Sequence, residues 1–152
     1  MQVQSKEIII SGMDKAKVYK PKEPTYIVSI VDNFYYCEND IRALDKNFKN
    51  ELIVFDRYVF DDSINPYSDF TKDKAKNLID NFVARGNDKR ILYFHCFMGM
   101  SRSPAAAAAI NEIFEIDNSR NIKNEHGNFN KRVYETLMEV AQVNKYGRFS
   151  FV

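Results

Sequence analysis

The chain has 152 residues, of which 45% are hydrophobic and 14% aromatic, and its formal net charge is +1 at neutral pH. This length fits one domain with a single core, and the near-zero charge argues against a general attraction to nucleic acid or to an anionic membrane. Two cysteines are too few for a disulfide framework, and no apolar run is long enough to span a bilayer. We therefore expect one domain over residues 1–152, with no signal peptide at residues 1–7 and a cytoplasmic location by default.

The first half of the chain predicts several strands and one helix. Its strand candidates are rich in β-branched residues, and its helix candidate places Ile41, Leu44 and Phe48 on one side. The strand at residues 26–31 is a continuous apolar run, which is typical of a central strand. In chain order, the predicted elements are a strand from Val3 through residues 8–10 that ends at Ser11 and Gly12, a short strand at 18–19, a strand at 26–31, a helix over 39–48, an extended segment over 52–60, and a loop from 61 to about 69 that contains Asn65 and Pro66.

The second half of the chain predicts helices around one further buried strand. Apolar residues recur at helical spacing in two stretches, and Gly86 suits the end of the first helix. The elements are a helix marked by Ala75, Leu78, Ile79, Phe82 and Val83, a strand at 91–94, a helix over 105–110, and a C-terminal helix marked by Phe129, Val133, Leu137, Val140 and Ala141, before residues 149–152 either pack back or fray. Alternating strands and helices predict an α/β fold, with a central mostly parallel sheet flanked by helices.

Residues 95–104 join the strand at 91–94 to the helix that follows it. Ser103 is suited to cap this helix and Pro104 to open it, because Pro is tolerated at the first helical position. A strand, a short loop and a helix N-terminus direct unpaired backbone N–H groups at one point, where the helix dipole adds positive potential. The sequence therefore predicts an anion-binding loop.

The residue types in this loop specify the anion more closely. Arg102 carries a guanidinium, which can bind two phosphate oxygens at once, and Gly99 can adopt a positive φ. The same positive field favours the thiolate form of Cys96, and Ser103 is close enough in sequence to donate a hydrogen bond to its sulfur. We interpret the loop as a phosphate-binding loop in which Cys96 is the nucleophile. The alternative is that Cys96 is an ordinary buried cysteine.

The pattern Cys-x5-Arg-Ser, with His before Cys96 and Gly99 at the third position after it, resembles the cysteine-dependent protein tyrosine phosphatase superfamily. Within that superfamily, residues 95–103 resemble the dual-specificity branch. The resemblance implies that Cys96 is the nucleophile, that Ser103 helps it leave, and that His95 supports it through a hydrogen bond near the sulfur. It also implies phosphate binding, without metal or cofactor, by the loop residues Phe97, Met98, Gly99, Met100, Ser101 and Arg102.

A phosphate ester that is attacked by a thiolate needs an acid to protonate its leaving group. The superfamily supplies an Asp from a loop upstream of the cysteine, and the segment that ends in Asp61 and Asp62 corresponds to it. Phe60-Asp61-Asp62 resembles the triplet of the regenerating-liver type of phosphatase, in which the second Asp is the acid. We therefore assign Asp62 as the acid and Asp61 as a supporting residue; the alternatives are Asp61 as the acid, or two Asp residues that only form turns.

The sequence around the remaining candidate residues indicates structural rather than catalytic roles. With two histidines and no cluster of metal ligands, His126 is interpreted as a capping or surface residue. Asn128-Phe129-Asn130 resembles the segment near the same helix in dual-specificity phosphatases, and that resemblance implies a packing role. Cys37 is interpreted as a free thiol, with redox pairing to Cys96 as the alternative. Three lysines fit a solvated helix face; they are Lys72, Lys74 and Lys76.

These patterns together predict a protein phosphatase. It would hydrolyse phosphotyrosine, and also phosphoserine and phosphothreonine, through a cysteinyl-phosphate. None of the five residues between Cys96 and Arg102 is basic, which argues against a phosphoinositide or an RNA 5′-phosphate as substrate, although both remain alternatives, as does a catalytically weak phosphate-binding module. The expected partner is a phosphoprotein, with no nucleic acid and no membrane, and a monomer is expected by default.

Overall fold

The computed structural model describes residues 5–65 and 68–151, without the side chains at positions 34 and 36. Three of the sequence predictions fall on residues outside this part of the chain; they concern Val3, Pro66 and Val152. No helix in the described part is both long and apolar enough to cross a membrane.

A four-stranded sheet forms the centre of the molecule, in the order β1-β4-β2-β3. Its strands are β1 (Glu7–Ser11), β2 (Thr25–Val31), β3 (Ile53–Val59) and β4 (Ile91–His95). All three pairings are parallel. The predicted α/β class is therefore confirmed, and β2 and β4 are the central strands, as their apolar runs indicated.

Helices cover both faces of the sheet. They are α1 (Met13–Ala16), α2 (Phe34–Phe48), α3 (Lys72–Asn81), α4 (Arg102–Phe114), α5 (Ile122–Glu125) and α6 (Lys131–Val143). Alternate residues of β2 point to opposite faces, so that Val28 and Ile30 pack with α3, α4 and α6, whereas Ile27 and Val31 pack with α1 and α2.

The structure corrects two predictions in the first half of the chain. Residues 18–19 form no strand but follow the single turn of α1. Helix α2 begins at Phe34 rather than at residue 39, because the side chain of Asn33 accepts a hydrogen bond from the backbone N–H of Tyr35 at 2.9 Å and caps it. The backbone at Cys37 is non-helical, which marks a kink inside α2.

Three helix ends in the second half also differ from the predictions. Helix α3 continues as a π-helical turn over Phe82–Gly86, and Val83 is exposed rather than packed. Helix α4 begins at Arg102 rather than at residue 104. Helix α6 begins at Lys131, and Phe129 lies before it, where its ring packs edge-on against Tyr134 at 5.8 Å.

Two short elements in the second half, helix α5 and a turn at the C-terminal end, add to the predicted ones. Helix α5 was not predicted from the sequence at all. Residues Gly147–Phe151 form a 3-10 helix, in which Phe149 packs against the core and Phe151 is exposed, so that both packing and exposure occur within the final segment.

Candidate active site

The loop between β4 and α4 lies at the carboxyl edge of the sheet, beside the turn that follows β1. Gly99 has a φ of 74°, and a Cβ at this position would lie 2.5 Å from the backbone nitrogen of Gly12. The backbone N–H of Met13 donates to the carbonyl oxygen of Phe97 at 2.8 Å. Glycine is therefore needed at position 99 for both its positive φ and its close backbone contact, and the turn after β1 supports the loop.

Cys96 lies at the floor of this loop, and its residue is only 2% exposed. The backbone N–H of Gly99 donates to its sulfur at 3.2 Å, and the Oγ of Ser103 lies 3.1 Å from the sulfur. Ser103 is thus a helical residue beside the sulfur and not the predicted N-cap of α4; the N-cap position belongs to Ser101. The Gly99 N–H donates to the sulfur, and the Ser103 hydroxyl can donate to it when the sulfur is ionised, so both groups can stabilise a negative charge there.

Arg102 is the first residue of α4, and its guanidinium is buried. Its Nη1 donates to Asp32 Oδ1 at 2.8 Å and to the carbonyl oxygen of Phe60 at 2.7 Å. Within residues 5–65 and 68–151, its Nε and Nη2 have no hydrogen-bond partner. The edge formed by these two nitrogens is the one that can bind two oxygens of a phosphate.

His95 is fully buried at the end of β4. Its Nδ1 lies 3.4 Å from the carbonyl oxygen of Cys96, and its Nε2 lies 2.6 Å from Ser29 Oγ. Since a carbonyl oxygen only accepts, Nδ1 carries the proton and Nε2 accepts from Ser29. Burial lowers the pKa of His95 to about 4, so the ring is neutral at pH 7 and acts here as a hydrogen-bonding partner of the loop backbone.

Asp62 reaches the loop from the segment after β3. Its Oδ1 accepts a hydrogen bond from Ser101 Oγ at 2.6 Å and another from Asn130 Nδ2 at 2.8 Å. The first of these donors belongs to the loop between β4 and α4. The structure thus brings the predicted acid to the loop that contains Cys96.

Asp61 has different partners, although it is the adjacent residue. Its Oδ1 accepts from the backbone N–H of Ser63 at 3.1 Å, and Ser68 Oγ lies at 3.5 Å. Its own backbone N–H donates to Asp69 Oδ1 at 2.8 Å. These contacts are those of a turn-forming residue, and none of them reaches the loop at Cys96.

The rim of the site is apolar on the loop side and acidic on the other. Phe97, Met98 and Met100 are between 49% and 65% exposed. Next to Arg102, a groove of about 280 Å³ is lined by residues that include three carboxylates, those of Asp32, Asp61 and Asp69. Apart from Arg102, none of the described residues that line the groove or extend from the loop is basic, and Lys74 donates to the carbonyl oxygen of Val59, which lines the groove, at 2.9 Å.

The other candidate residues lie away from this site. Cys37 packs on the opposite face of the sheet from Cys96, donates from its sulfur to Asp32 O at 3.2 Å, and has its pKa raised by burial. His126 is the C-cap residue of α5. The described residues contain no cluster of three or more potential metal ligands. The lysines lie along α3, where Lys72 pairs with Glu139, Lys76 with Asp80, and Lys74 with a backbone carbonyl.

Sequence reasoning missed three groups that hold the site together: the Asp32 carboxylate, the Phe60 carbonyl and the Asn130 amide. Each contacts a residue at least 42 positions away, and no local pattern reports such a pairing. One signal was present, since Asn directly before an amphipathic helix is a typical N-cap. That signal indicates a capping role for Asn130 but not its contact with Asp62.

Comparisons with known proteins add little to this geometry. No family model and no curated protein match the sequence. Among solved structures, one described as "Crystal structure of Tk-PTP in the active form" matches with a TM-score of 0.42 and 13% identity, over 97% of this chain and 88% of that chain.

Proposed function

We propose that the chain is a phosphatase that uses Cys96 as its nucleophile and Asp62 as its general acid. One observation carries the proposal: the Cys96 sulfur accepts a backbone hydrogen bond at the floor of a loop whose Ser101 binds the Asp62 carboxylate. The nucleophile and the acid are thus joined through a single loop between β4 and α4. Such a juxtaposition is what cleavage of a phosphate monoester requires.

The first step transfers the phosphoryl group to the enzyme. The Cys96 thiolate attacks phosphorus, the ester P–O bond breaks, and Asp62 gives its proton to the leaving oxygen. The free edge of the Arg102 guanidinium and the backbone N–H groups of residues 97–102 bind the three phosphoryl oxygens and stabilise their charge in the transition state. His95 remains neutral and takes no proton.

The second step releases phosphate. Asp62, now a carboxylate, takes a proton from a water molecule, whose oxygen attacks phosphorus while the S–P bond breaks. Inorganic phosphate leaves, and Cys96 returns to the thiolate. The Ser103 hydroxyl, 3.1 Å from the sulfur, stabilises the charge that develops on the departing thiolate.

The substrate that we favour is a phosphoprotein, in the manner of a dual-specificity phosphatase. The exposed loop side chains are apolar, and three carboxylates line the neighbouring groove. A polyanion such as a phosphoinositide headgroup or an RNA 5′-end would meet repulsion there, whereas a single phosphorylated side chain would not. The cytoplasm suits this proposal, because a catalytic thiolate needs a reducing compartment.

The test is hydrolysis of para-nitrophenyl phosphate in EDTA by the wild-type chain, Cys96→Ser and Cys37→Ser. We expect wild type and Cys37→Ser to be equally active and Cys96→Ser to be inactive, since only Cys96 lies in the loop. Full activity in Cys96→Ser, or none in wild type, would refute the proposal. Phosphopeptides, phosphoinositides and 5′-phosphorylated RNA, assayed side by side, then identify the substrate class.

A further inference from the structure

Asn130 lies directly before α6 and joins three separate parts of the molecule. Its backbone N–H donates to the carbonyl oxygen of Ser101 at 3.0 Å, and its Oδ1 accepts from the backbone N–H of Val133 at 3.0 Å. Its Nδ2 donates to Asp62 Oδ1 at 2.8 Å and to the carbonyl oxygen of Asp62 at 3.2 Å. One residue therefore connects the loop at Cys96, the start of α6 and the candidate acid.

The difference in burial between Asn130 and Asp62 shows which of the two residues positions the other. Asn130 is 1% exposed, whereas Asp62 is exposed. The amide is fixed from one side by its cap on Val133 and by its backbone bond to Ser101, so its Nδ2 points at a set position. The remaining contact of Nδ2, at 3.4 Å to the carbonyl oxygen of Ser63, belongs to the same segment as Asp62. The rigid Asn130 thus holds the exposed Asp62, and not the reverse.

Both side-chain donors to Asp62 meet the same carboxyl oxygen. Ser101 Oγ and Asn130 Nδ2 donate to Oδ1, and in the described part of the chain Oδ2 has no hydrogen-bond partner. A proton on Oδ1 would point at the amide hydrogen of Asn130, which cannot accept it, so the proton of the acid belongs on Oδ2. The Asn130 amide thereby selects the oxygen that protonates the leaving group and fixes its direction.

We propose that Asn130 is a positioning residue for the general acid. This role rests on the proposed function, because Asn130 acts only through Asp62 and does not touch the substrate. Orientation of a catalytic group contributes strongly to the rate, and small displacements cost activity. The chain uses the N-cap of a core helix to supply that orientation.

The test replaces the amide while it keeps the helix cap. Asn130→Asp and Asn130→Ser retain a side-chain oxygen that caps α6 well, but both remove the amide donor to Asp62. Asn121→Asp is the matched control, since Asn121 caps α5 through the N–H of Asn124 at 3.2 Å and makes no contact with Asp62. The value of kcat/KM is measured on phenyl phosphate, which has a poor leaving group, and on para-nitrophenyl phosphate, which has a good one. Circular dichroism checks folding, and Asn130→Ser carries the test if Asn130→Asp is unfolded.

We expect both Asn130 variants to lower kcat/KM on phenyl phosphate by ~10-fold, and to change it far less on para-nitrophenyl phosphate, because kcat/KM reports transfer of the phosphoryl group to Cys96, and in that step only the poor leaving group depends on the acid. Asn121→Asp should match wild type on both substrates, and Asn130→Ser should have no further effect in an Asp62→Asn background. Wild-type rates in folded Asn130→Ser, equal losses on both substrates, or a full further loss in the Asp62→Asn background would overturn the positioning role while leaving the phosphatase intact. A wild-type chain that hydrolyses neither substrate would overturn the proposed function itself.

Discussion

Asp61 and Asp62 show how adjacent carboxylates acquire different tasks. Asp61 turns back to accept from the backbone N–H of Ser63, whereas Asp62 reaches Ser101 and Asn130. The carboxylate at the loop is therefore the one that can deliver a proton, and the other shapes the segment that carries it.

Substitution of these two residues distinguishes their tasks. We predict that Asp62→Asn lowers kcat/KM on phenyl phosphate or a phosphopeptide by ~10²-fold or more, because the leaving oxygen loses its proton donor. The loss should be smaller on para-nitrophenyl phosphate. Asp61→Asn is the control, and it should keep most of the activity on both substrates; if it shows the leaving-group-dependent loss and Asp62→Asn does not, the assignment of the acid is wrong.

At the scale of single residues, the sequence was informative where the constraint is local. Gly99 was predicted to adopt a positive φ, and it has one of 74°. Cys96, Arg102 and Ser103 are close together in the sequence, at the loop and the start of α4, so their proximity follows from short sequence separation. Asn130 and Asp62 are 68 positions apart, and only the packing of α6 against the rest of the fold brings them together.

At the scale of elements, the start of α4 shows why helix ends are hard to predict. Ser103 and Pro104 fit an N-cap and first position, but the carbonyl oxygen of Ser101 already accepts from the backbone N–H of Ala105 at 3.3 Å. Pro104 is tolerated two residues further into the helix, because N–H groups in the first turn have no intrahelical partner. The earlier start turns Ser103 from a cap into a neighbour of the Cys96 sulfur.

Helix α4 also carries a run of alanines against the core. Each of residues 105–109 is no more than 2% exposed, so small side chains let the helix pack closely with the sheet and α6. We predict that Ala107→Leu destabilises the protein by about 1–3 kcal/mol, because the added carbons have no space. Denaturant unfolding measures the change. Glu135→Leu on the exposed side of α6 is the control and should shift stability by less than about 0.5 kcal/mol; equal effects of the two variants would contradict close packing at Ala107.

Long elements were predicted and single turns were not. Strands β2 and β4 and helices α3, α4 and α6 have enough residues to display an apolar run or a repeating apolar face. Helices α1 and α5 have four residues each, which is too few for a period to appear. The first turn of α2 was missed too, since the non-helical backbone at Cys37 separates it from the rest of the helix.

At the scale of the whole molecule, the buried His95 makes the free energy of unfolding depend on pH. The ring is buried between the central strands and hydrogen-bonded to Ser29, and burial lowers its pKa from 6.5 to about 4. An unfolded chain therefore binds a proton at His95 over a pH range in which the folded chain does not. Because the unfolded state binds more protons there, the free energy of unfolding falls as the pH falls from 6.5 to 4.

We predict that proton binding at His95 in the unfolded chain lowers the free energy of unfolding by about 3 kcal/mol between pH 6.5 and pH 4, since each pKa unit corresponds to about 1.4 kcal/mol. Urea unfolding at a series of pH values measures the decline in wild type and in His95→Asn, which cannot titrate. The variant should start from a lower stability but lose less of it towards pH 4. Parallel declines in the two proteins would show that His95 is not held neutral in the fold.

The central claim is that Cys96 carries the phosphoryl group during turnover, and trapping that intermediate tests it most directly. Ser103→Ala removes the hydroxyl 3.1 Å from the sulfur, which should slow release of the thiolate and let the intermediate accumulate. After acid quenching during turnover of para-nitrophenyl phosphate, mass spectrometry should find one phosphoryl group on the peptide that contains Cys96. Turnover with no phosphoryl group on that peptide, or with the group on another residue, would contradict the account.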